Sequence, residues 1–256
     1  PADIWERIYF VGYTISTLGM GDYQAQGRVW QLATAISSAS GFFLVTLSIA
    51  YLLPIVSAAS EKRAFATYIS SLGGTADEIL IRAWNGQDFG ELSSHLSSLT
   101  PTLTQQGEKH LAYPVLHYFH SVERARSLAL SLIALDEALT LLQYGIPEKY
   151  QPEPAVLGAV RRASAAFLKT LKSAYLEPAS SNPQFPSLEL LRSKGIPTVS
   201  DEEFWENTKI ITRRRRLLLA LAENDGWNWD AIASSITTNR ASSLDDETMI
   251  DDVTLH

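Results

Sequence analysis

The chain has 256 residues, no cysteine and a formal net charge of −7, so disulfides and thiolate metal sites are excluded. Residues 61–240 carry 19 basic and 20 acidic side chains, so nothing in the composition suggests the net basic face that a nucleic-acid-binding protein needs. The length allows one large domain or two ordinary ones. Charge is unevenly spread, because residues 1–60 carry only five charged side chains, and five acids lie in the last dozen residues.

The first predicted element is a short helix over Ile4–Ser16 that is rich in aromatic side chains. Those aromatic residues are Trp5, Tyr9, Phe10 and Tyr13. Ordinary helix packing is one explanation for them. The helix ends at a Gly-rich segment, Ser16-Thr17-Leu18-Gly19-Met20-Gly21-Asp22, and the negative end of its dipole would favour a cation there.

In this Gly-rich segment two glycines flank one residue, Thr17 stands two residues before the first glycine, and Asp22 follows the second. Glycine adopts at little cost the backbone angles that other residues resist. A Gly-rich turn of a soluble protein would have the same sequence pattern. The run that follows the segment favours a membrane protein instead, because it is long and apolar.

That run, Val29–Ser60, contains no charged residue. About 20 apolar residues span a bilayer core, so its excess length predicts a tilted inner helix that continues into the cytoplasm. Small hydroxyl side chains are interleaved and allow close helix approach. Pro54 is expected to bend the helix near its inner end. The charged residues Glu61, Lys62 and Arg63 end the run, and the positive charges favour the cytoplasmic side.

In this order, the three parts resemble the pore loop and inner helix of the potassium channel family, whose motif reads Thr-Val/Ile-Gly-Tyr/Phe-Gly-Asp. Leu18 replaces the β-branched residue and Met20 replaces the aromatic. The resemblance covers about the first quarter of the chain. It implies a filter in which backbone carbonyls replace the hydration shell of K⁺, with the Thr17 hydroxyl as the innermost ring. The ion-binding residues that it implies are Thr17, Leu18, Gly19, Met20 and Gly21.

The resemblance implies further roles. Asp22 would be held behind the filter, where Tyr9 and Tyr13 are the candidate partners. Gly41 and Pro54 would form a gating hinge, although helix packing explains Gly41 equally well. One chain supplies one filter strand, so a closed ring needs a homotetramer. The outer helix of the family is expected before residue 1, and the sequence is therefore expected to be a fragment.

From Ala64 onward the pattern is helical, and Gly73-Gly74 is expected to end the continuation of the inner helix. No segment alternates as strands do, and no nucleotide-binding glycine motif follows a strand. Ser200 with Glu203 fits a capping box. The predicted helices are Asp77–Trp84, Asp88–Leu103, Val122–Leu142, Val156–Leu176, one from Ser200 to about Ala222, and Trp227–Ile236, with a loop over residues 177–199 and an acidic, disordered tail from Ala241.

Two other clusters attract a functional interpretation. His110, His117 and His120 lack a completing carboxylate pattern, so no metal site is predicted. Arg213–Arg216 covers a whole helix circumference, and solvated charges paired with acids such as Glu202 and Glu206 are the favoured reading. The functional alternative is contact with anionic lipid or with the acidic tail. No nucleophile–base pair is recognisable, so neither an enzyme nor a cofactor is expected.

The sequence therefore predicts an all-α protein of the cell membrane, multi-pass in its native form. A pore helix, filter and inner helix would occupy residues 1–60, a cytoplasmic helical domain 61–240 and a disordered tail 241–256. The predicted function is passive, selective conduction of K⁺. The alternatives are a weakly selective cation channel, because of Met20, and a membrane-anchored helical adaptor that does not conduct.

Overall fold

The computed structural model describes residues 3–174 and 176–229, and this part of the chain is helical with no β-strand. The all-α prediction is confirmed. The helices are α1 Ile4–Ile15, α2 Arg28–Leu72, α3 Ala76–Ala83, α4 Leu92–Ala112, α5 Leu128–Thr140, α6 Pro154–Ala174, α7 Glu189–Ser193, α8 Asp201–Thr208 and α9 Thr212–Asn224. A π-helical turn, Leu141–Gly145, continues α5.

The chain divides into two compact units, with the boundary between Ala58 and Ala59. The first unit contains α1, the Gly-rich segment and the first part of α2. A capping box opens α1: the Asp3 carboxylate accepts from the Ile4 amide at 2.7 Å, and the Asp3 amide donates to Glu6 Oε2 at 2.8 Å. The helix then runs to Ile15, one residue short of the predicted end.

Helix α2 has 45 residues, so it is about 68 Å long, more than twice the thickness of a bilayer core. Pro54 lies inside it without ending it. The helix ends at Leu72, directly before Gly73-Gly74, as predicted. A Cβ at Gly73 would lie 2.5 Å from the Ile79 amide nitrogen, so a glycine is required where the start of α3 passes this closely.

The core of the second unit forms around α5, all of whose residues are buried. Helices α3, α6 and α9 pack on it, and α4 lies along α6. By length and composition, Leu128–Gly145 is apolar enough to cross a membrane, but 89% of this stretch is buried inside the unit. It is therefore the central helix of a globular core, because a lipid-facing helix leaves its apolar side chains exposed.

Helix boundaries differ from the predicted ones where polar side chains bind the backbone. Helix α4 begins at Leu92, because the Asp88 carboxylate accepts from the Gly90 amide (2.8 Å) and builds a turn instead. Helix α5 begins only at Leu128, because the Ser127 hydroxyl caps it by accepting from the Leu130 amide at 3.3 Å.

The predicted helix from Ser200 to Ala222 is two helices. Ser200 caps α8 as expected, accepting from the Glu203 amide at 3.2 Å. A 3₁₀ turn over Lys209–Ile211 then separates α8 from α9, where the Thr208 hydroxyl bonds back to the Phe204 carbonyl at 2.8 Å. The expected loop over 177–199 contains the short helix α7. Residues 227–229 are not helical, and the rest of the helix predicted there, with the acidic tail, lies outside the described residues.

The reading of the arginine run as solvated charges is wrong for its two central members. Arg214 donates to the buried Asp136 (Nε to Oδ2, 2.9 Å), and Arg215 donates to the buried Glu137 (Nη2 to Oε2, 2.7 Å). These acids lie in the middle of α5 and replace the predicted partners on α8. Neither guanidinium group is available to lipid or to an acidic tail, because a buried arginine needs its ion pair.

Asp136 is the centre of a larger network. It also accepts from Arg161 Nη1 at 3.2 Å and from the Ser164 hydroxyl at 3.2 Å. Burial by itself would raise the pKa of Asp136, but the charges and hydrogen bonds of Arg161 and Arg214 outweigh it and hold this pKa below its ordinary value. Burial raises the pKa of Glu137 in spite of its arginine.

Candidate functional site: the loop between α1 and α2

The Gly-rich segment is a solvent-exposed loop with an unusual backbone. Gly19 and Gly21 have φ of +61° and +84°, and Thr17 has φ of +58°. Leu18 and Met20 lie between these residues and are 66% and 55% exposed. Positive φ thus occurs at every second residue. Alternation of this kind allows successive carbonyls to face the same side of an extended chain, and glycine adopts it without steric cost.

Thr17 takes the position that usually belongs to glycine at the end of a helix. The Leu18 amide donates to the Tyr13 carbonyl at 2.9 Å and the Thr17 amide to the Thr14 carbonyl at 3.2 Å, which is the Schellman pattern. A left-handed conformation costs a residue with a side chain about 1–2 kcal/mol. The Thr17 hydroxyl donates to the Ser16 carbonyl at 2.7 Å. A strained threonine is thus retained at the entrance to the loop.

Hydrogen bonds hold the chain beyond the loop to α1. The Tyr9 hydroxyl donates to Asp22 Oδ2 at 2.8 Å. Of the two tyrosines considered from the sequence as partners of Asp22, the structure brings only Tyr9 to it. The Tyr13 hydroxyl donates instead to the backbone carbonyl of Tyr23.

Tyr23 and Glu6 complete this cluster, and neither was singled out from the sequence. The Tyr23 hydroxyl donates to Glu6 Oε1 at 2.9 Å. The rings of Tyr9 and Tyr13 meet edge to face at 5.2 Å, and those of Tyr9 and Tyr23 at 6.3 Å. The available signal was spacing, because residues 6, 9 and 13 share one face of α1. The exit of the loop is therefore fixed at three points on one helix.

The end of α1 lies against α2 at Gly41. A Cβ on Gly41 would lie 1.8 Å from the Ile15 carbonyl oxygen, so no side chain fits there. The helix passes through Gly41 without interruption. Pro54 lies thirteen residues further on, about 20 Å along the helix, and takes no part in this contact. Close packing therefore accounts for Gly41 in the observed conformation.

A cavity of about 340 Å³ lies behind the loop and is lined by residues of α1, the loop and α2. The buried hydroxyl of Thr14 faces no hydrogen-bond partner in the described chain, and Thr14 lines this cavity. An isolated buried hydroxyl costs free energy unless water or another polar group reaches it. The loop is thus backed by a partly polar space.

Helix α2 is long and apolar enough to cross a membrane, and its surface is largely exposed. Its most apolar window has a mean hydropathy of 2.1 and is only 17% buried. Hydroxyl groups along α2 donate to carbonyls of the same helix: Thr34 to Trp30 at 2.8 Å, Ser37 to Ala33 at 2.8 Å and Ser48 to Leu44 at 2.7 Å. Polar groups satisfied in this way are compatible with lipid, where no water is available.

The three histidines lie in the second unit and are engaged separately. His110 is buried against the Gln106 carbonyl (2.8 Å), and burial lowers its pKa to about 4. His117 Nε2 lies 3.1 Å from Asn224 Nδ2, and His120 pairs with Asp225. Across residues 3–174 and 176–229, no group of three His, Asp or Glu side chains is arranged to hold a metal ion.

Comparison with known proteins identifies a family and a relative with similar sequences. Residues 1–58 match the sequence model of a family described as "Ion channel". The chain is also 38% identical over 229 residues to the uncharacterized membrane protein YdjJ of Bacillus subtilis (strain 168). The aligned region covers 90% of this chain and 67% of the relative. No solved structure matches it significantly.

The chain belongs to the same family as the membrane protein YdjJ, and its first 58 residues match the ion channel family. The predicted resemblance of the first quarter is confirmed. The matched residues include α1, the loop, and α2 as far as Ala58, so the ion channel family match contains the whole first unit. The similarity to YdjJ extends well beyond it, so the helical second unit is part of what these two proteins share.

Proposed function

We propose that this protein is a subunit of a potassium channel, in which K⁺ passes through a filter of backbone carbonyls at the loop. The alternation of positive φ at Gly19 and Gly21 with exposed Leu18 and Met20 carries the proposal. A dehydrated cation needs rings of oxygen atoms in place of its water shell, and main-chain carbonyls supply them. Non-helical backbone at membrane depth is tolerated where it lines such a path.

The proposed assembly is a homotetramer in the cell membrane. Thr17 to Met20 would contribute their carbonyls, the Thr17 hydroxyl would form the innermost ring, and the bond from Tyr9 to Asp22 would brace the loop. Helix α2 would be the inner helix, with Gly41 and Pro54 as the places where it bends. Residues 61–240 would lie in the cytoplasm. The exposed apolar surface of α2 would then be covered by lipid and by neighbouring subunits.

Ion flux into liposomes that contain the full-length protein tests the filter. Wild type should pass K⁺ in preference to Na⁺. Gly19→Ala and Gly21→Ala should each abolish selective flux, because alanine resists a positive φ. Gly12→Ala is the matched control, since a Cβ at this helical glycine meets nothing within 4 Å. Gly27→Ala controls for strain alone, because Gly27 has φ of +89° but lies after the Gly-rich segment.

The outcomes separate the alternatives. Unchanged K⁺ selectivity in both Gly19→Ala and Gly21→Ala would refute the filter. Equal passage of K⁺ and Na⁺ in wild type, lost in both variants, would identify a weakly selective cation channel that uses the same loop. No flux of either ion, from a protein shown to be inserted and folded, would favour a non-conducting adaptor.

Cysteine labelling tests the topology directly, because a thiol reagent reacts with this cysteine-free chain only at an introduced cysteine. Gln24→Cys should react with an impermeant thiol reagent from outside and Arg63→Cys from inside. Both side chains are exposed, whereas the neighbouring Lys62 donates to the Phe119 carbonyl at 2.8 Å and would be a poor choice. Reaction of both from the same side would exclude the proposed topology.

Light scattering in mild detergent should give a mass near four subunits, and a strict monomer would contradict the ring.

A further inference from the structure

A groove of about 560 Å³ with both charged and apolar lining residues lies within the second unit, remote in sequence from the loop. Its walls are the π-helical turn Leu141–Gly145, the first half of α6 and one face of α8. Pockets for small molecules typically have volumes of about 300–1,000 Å³. Single π-helical turns occur frequently at functional sites. The groove therefore has the size and the backbone irregularity of a ligand site.

One wall is a stripe of α6 that presents two arginines. Arg161 is held in place, because its Nη2 donates to the Thr140 hydroxyl at 2.8 Å and its Nη1 pairs with Asp136 at 3.2 Å. Arg162 folds back across Gly158, where an added Cβ would lie 3.1 Å from Nη1. Arg162 makes no hydrogen bond or ion pair with any residue of the described chain. Its guanidinium group is therefore free to receive an anion.

The facing wall is acidic. Glu203 and Asn207 lie one turn apart on α8 and line the groove, and Glu148 lines it as well. Within residues 3–174 and 176–229, none of these three side chains has a hydrogen-bond or ion-pair partner. Asp136 is shared between Arg161 and Arg214 and cannot neutralise both, so the groove presents two cations, Arg161 and Arg162, and two anions, Glu203 and Glu148.

This pattern discriminates between classes of ligand. A polyanion such as a nucleotide would meet the repulsion of Glu203 and Glu148. A simple cation would meet Arg162. A molecule that carries both a carboxylate and an ammonium group satisfies both walls, because Arg binds carboxylate through two parallel hydrogen bonds. We propose that the groove binds a small zwitterion of the amino-acid class, with Arg162 on its carboxylate and Glu203 on its ammonium group.

The test uses the full-length protein in detergent and each proteinogenic L-amino acid as a separate probe. Acetate and ethylamine serve as single-charge probes, and AMP serves as a polyanion. An amino acid that binds should, at about 100 times its dissociation constant, raise the unfolding temperature by about 5–10 °C. Acetate, ethylamine and AMP at the same concentration should leave it unchanged. Isothermal titration calorimetry then gives the affinity of the probe that binds.

Matched variants locate the site. Arg162→Gln and Glu203→Gln should each weaken that affinity at least about tenfold, the loss expected for about 1.4 kcal/mol. Arg213→Gln and Glu202→Gln remove equally exposed charges outside the groove and should leave it unchanged. All four side chains are exposed, and circular dichroism checks that each variant folds. The result does not depend on the pore, and ion flux is not its readout.

Three results would overturn the proposal. The first is the absence of a shift with every amino acid. The second is a shift with AMP, acetate or ethylamine that equals the shift with the best amino acid. The third is an affinity that Arg162→Gln and Glu203→Gln leave unchanged.

Discussion

Arg215 is the residue whose removal should cost the second unit most. Its side chain is 1% exposed. Nε and Nη2 donate to the two carboxylate oxygens of Glu137 at 2.8 and 2.7 Å, and Nη1 and Nη2 also donate to the carbonyls of Pro183 (3.1 Å) and Gln184 (2.7 Å). Arg215→Met keeps much of the volume and removes all four bonds. It leaves a carboxylate and two carbonyls without their donor.

Breaking a buried ion pair by removing one partner costs about 3–5 kcal/mol. Whole domains are stable by only about 5–15 kcal/mol. For a protein of this size, Arg215→Met should lower the unfolding temperature by about 6–20 °C. Adding Glu137→Leu should recover part of the loss, because the orphaned carboxylate is then absent. The loss of stability that remains in the double variant is attributed to the two carbonyls, which still lack a donor.

The pH dependence of the variant provides a second readout. Burial already raises the pKa of Glu137 with Arg215 present, and without Arg215 this pKa rises further. The folded variant therefore binds more protons than the unfolded one above the unfolded pKa. Its stability should fall as pH rises from about 5 to 8 and recover on acidification.

Thermal unfolding of the detergent-solubilised protein, followed by circular dichroism at both pH values, measures these effects. Arg213→Met is the control, because Arg213 is exposed and its loss should change stability by no more than about 0.5 kcal/mol. A loss in Arg215→Met no larger than in this control would refute the reasoning. So would a loss that the second substitution, Glu137→Leu, increases.

Three further predictions concern the loop and assume the proposed channel. Gly41→Ala should reduce K⁺ flux at least about tenfold, measured in liposomes, because the methyl group would displace the Ile15 carbonyl and with it the end of α1; flux equal to wild type would show that the contact is dispensable. Tyr9→Phe leaves Asp22 without its donor, so recordings at low external K⁺ should show faster inactivation, and unchanged rates would contradict the bracing role. Met20→Tyr should slow that inactivation by stiffening the filter, whereas equal rates with equal Na⁺ permeability would show that stiffness at this position is unimportant.

Much of the first unit is readable from the sequence because its determinants are local. Helix α1 follows from a helix-length run with aromatic residues, and Gly19 and Gly21 indicate a backbone conformation that few other residues tolerate. The length of the uncharged run is sufficient to predict α2 as a long helix. The same local pattern was sufficient to find the family resemblance, which the family match confirms over residues 1–58.

Partnerships across the chain required the tertiary structure. Arg215 and Glu137 are 78 positions apart, and nothing in a run of four arginines reveals which of them turn inward. The useful signal was an acidic pair, Asp136-Glu137, in the middle of an apolar helix. Buried acids demand cationic partners, but composition does not say which cations reach them.

In the loop, too, the sequence identified the residues, and the tertiary structure decided which of them bind each other. Its glycines and Asp22 were evident from the sequence, whereas the choice of Tyr9 over Tyr13 as the partner of Asp22 depends on how the chain returns along α1. The left-handed Thr17 was also beyond sequence reasoning, because threonine does not favour that conformation and only the surrounding hydrogen bonds hold it there. The sequence thus determined which residues can form the loop and the helices, and the packing of those helices decided which polar groups meet, because hydrogen bonds and ion pairs depend on distances that folding alone sets.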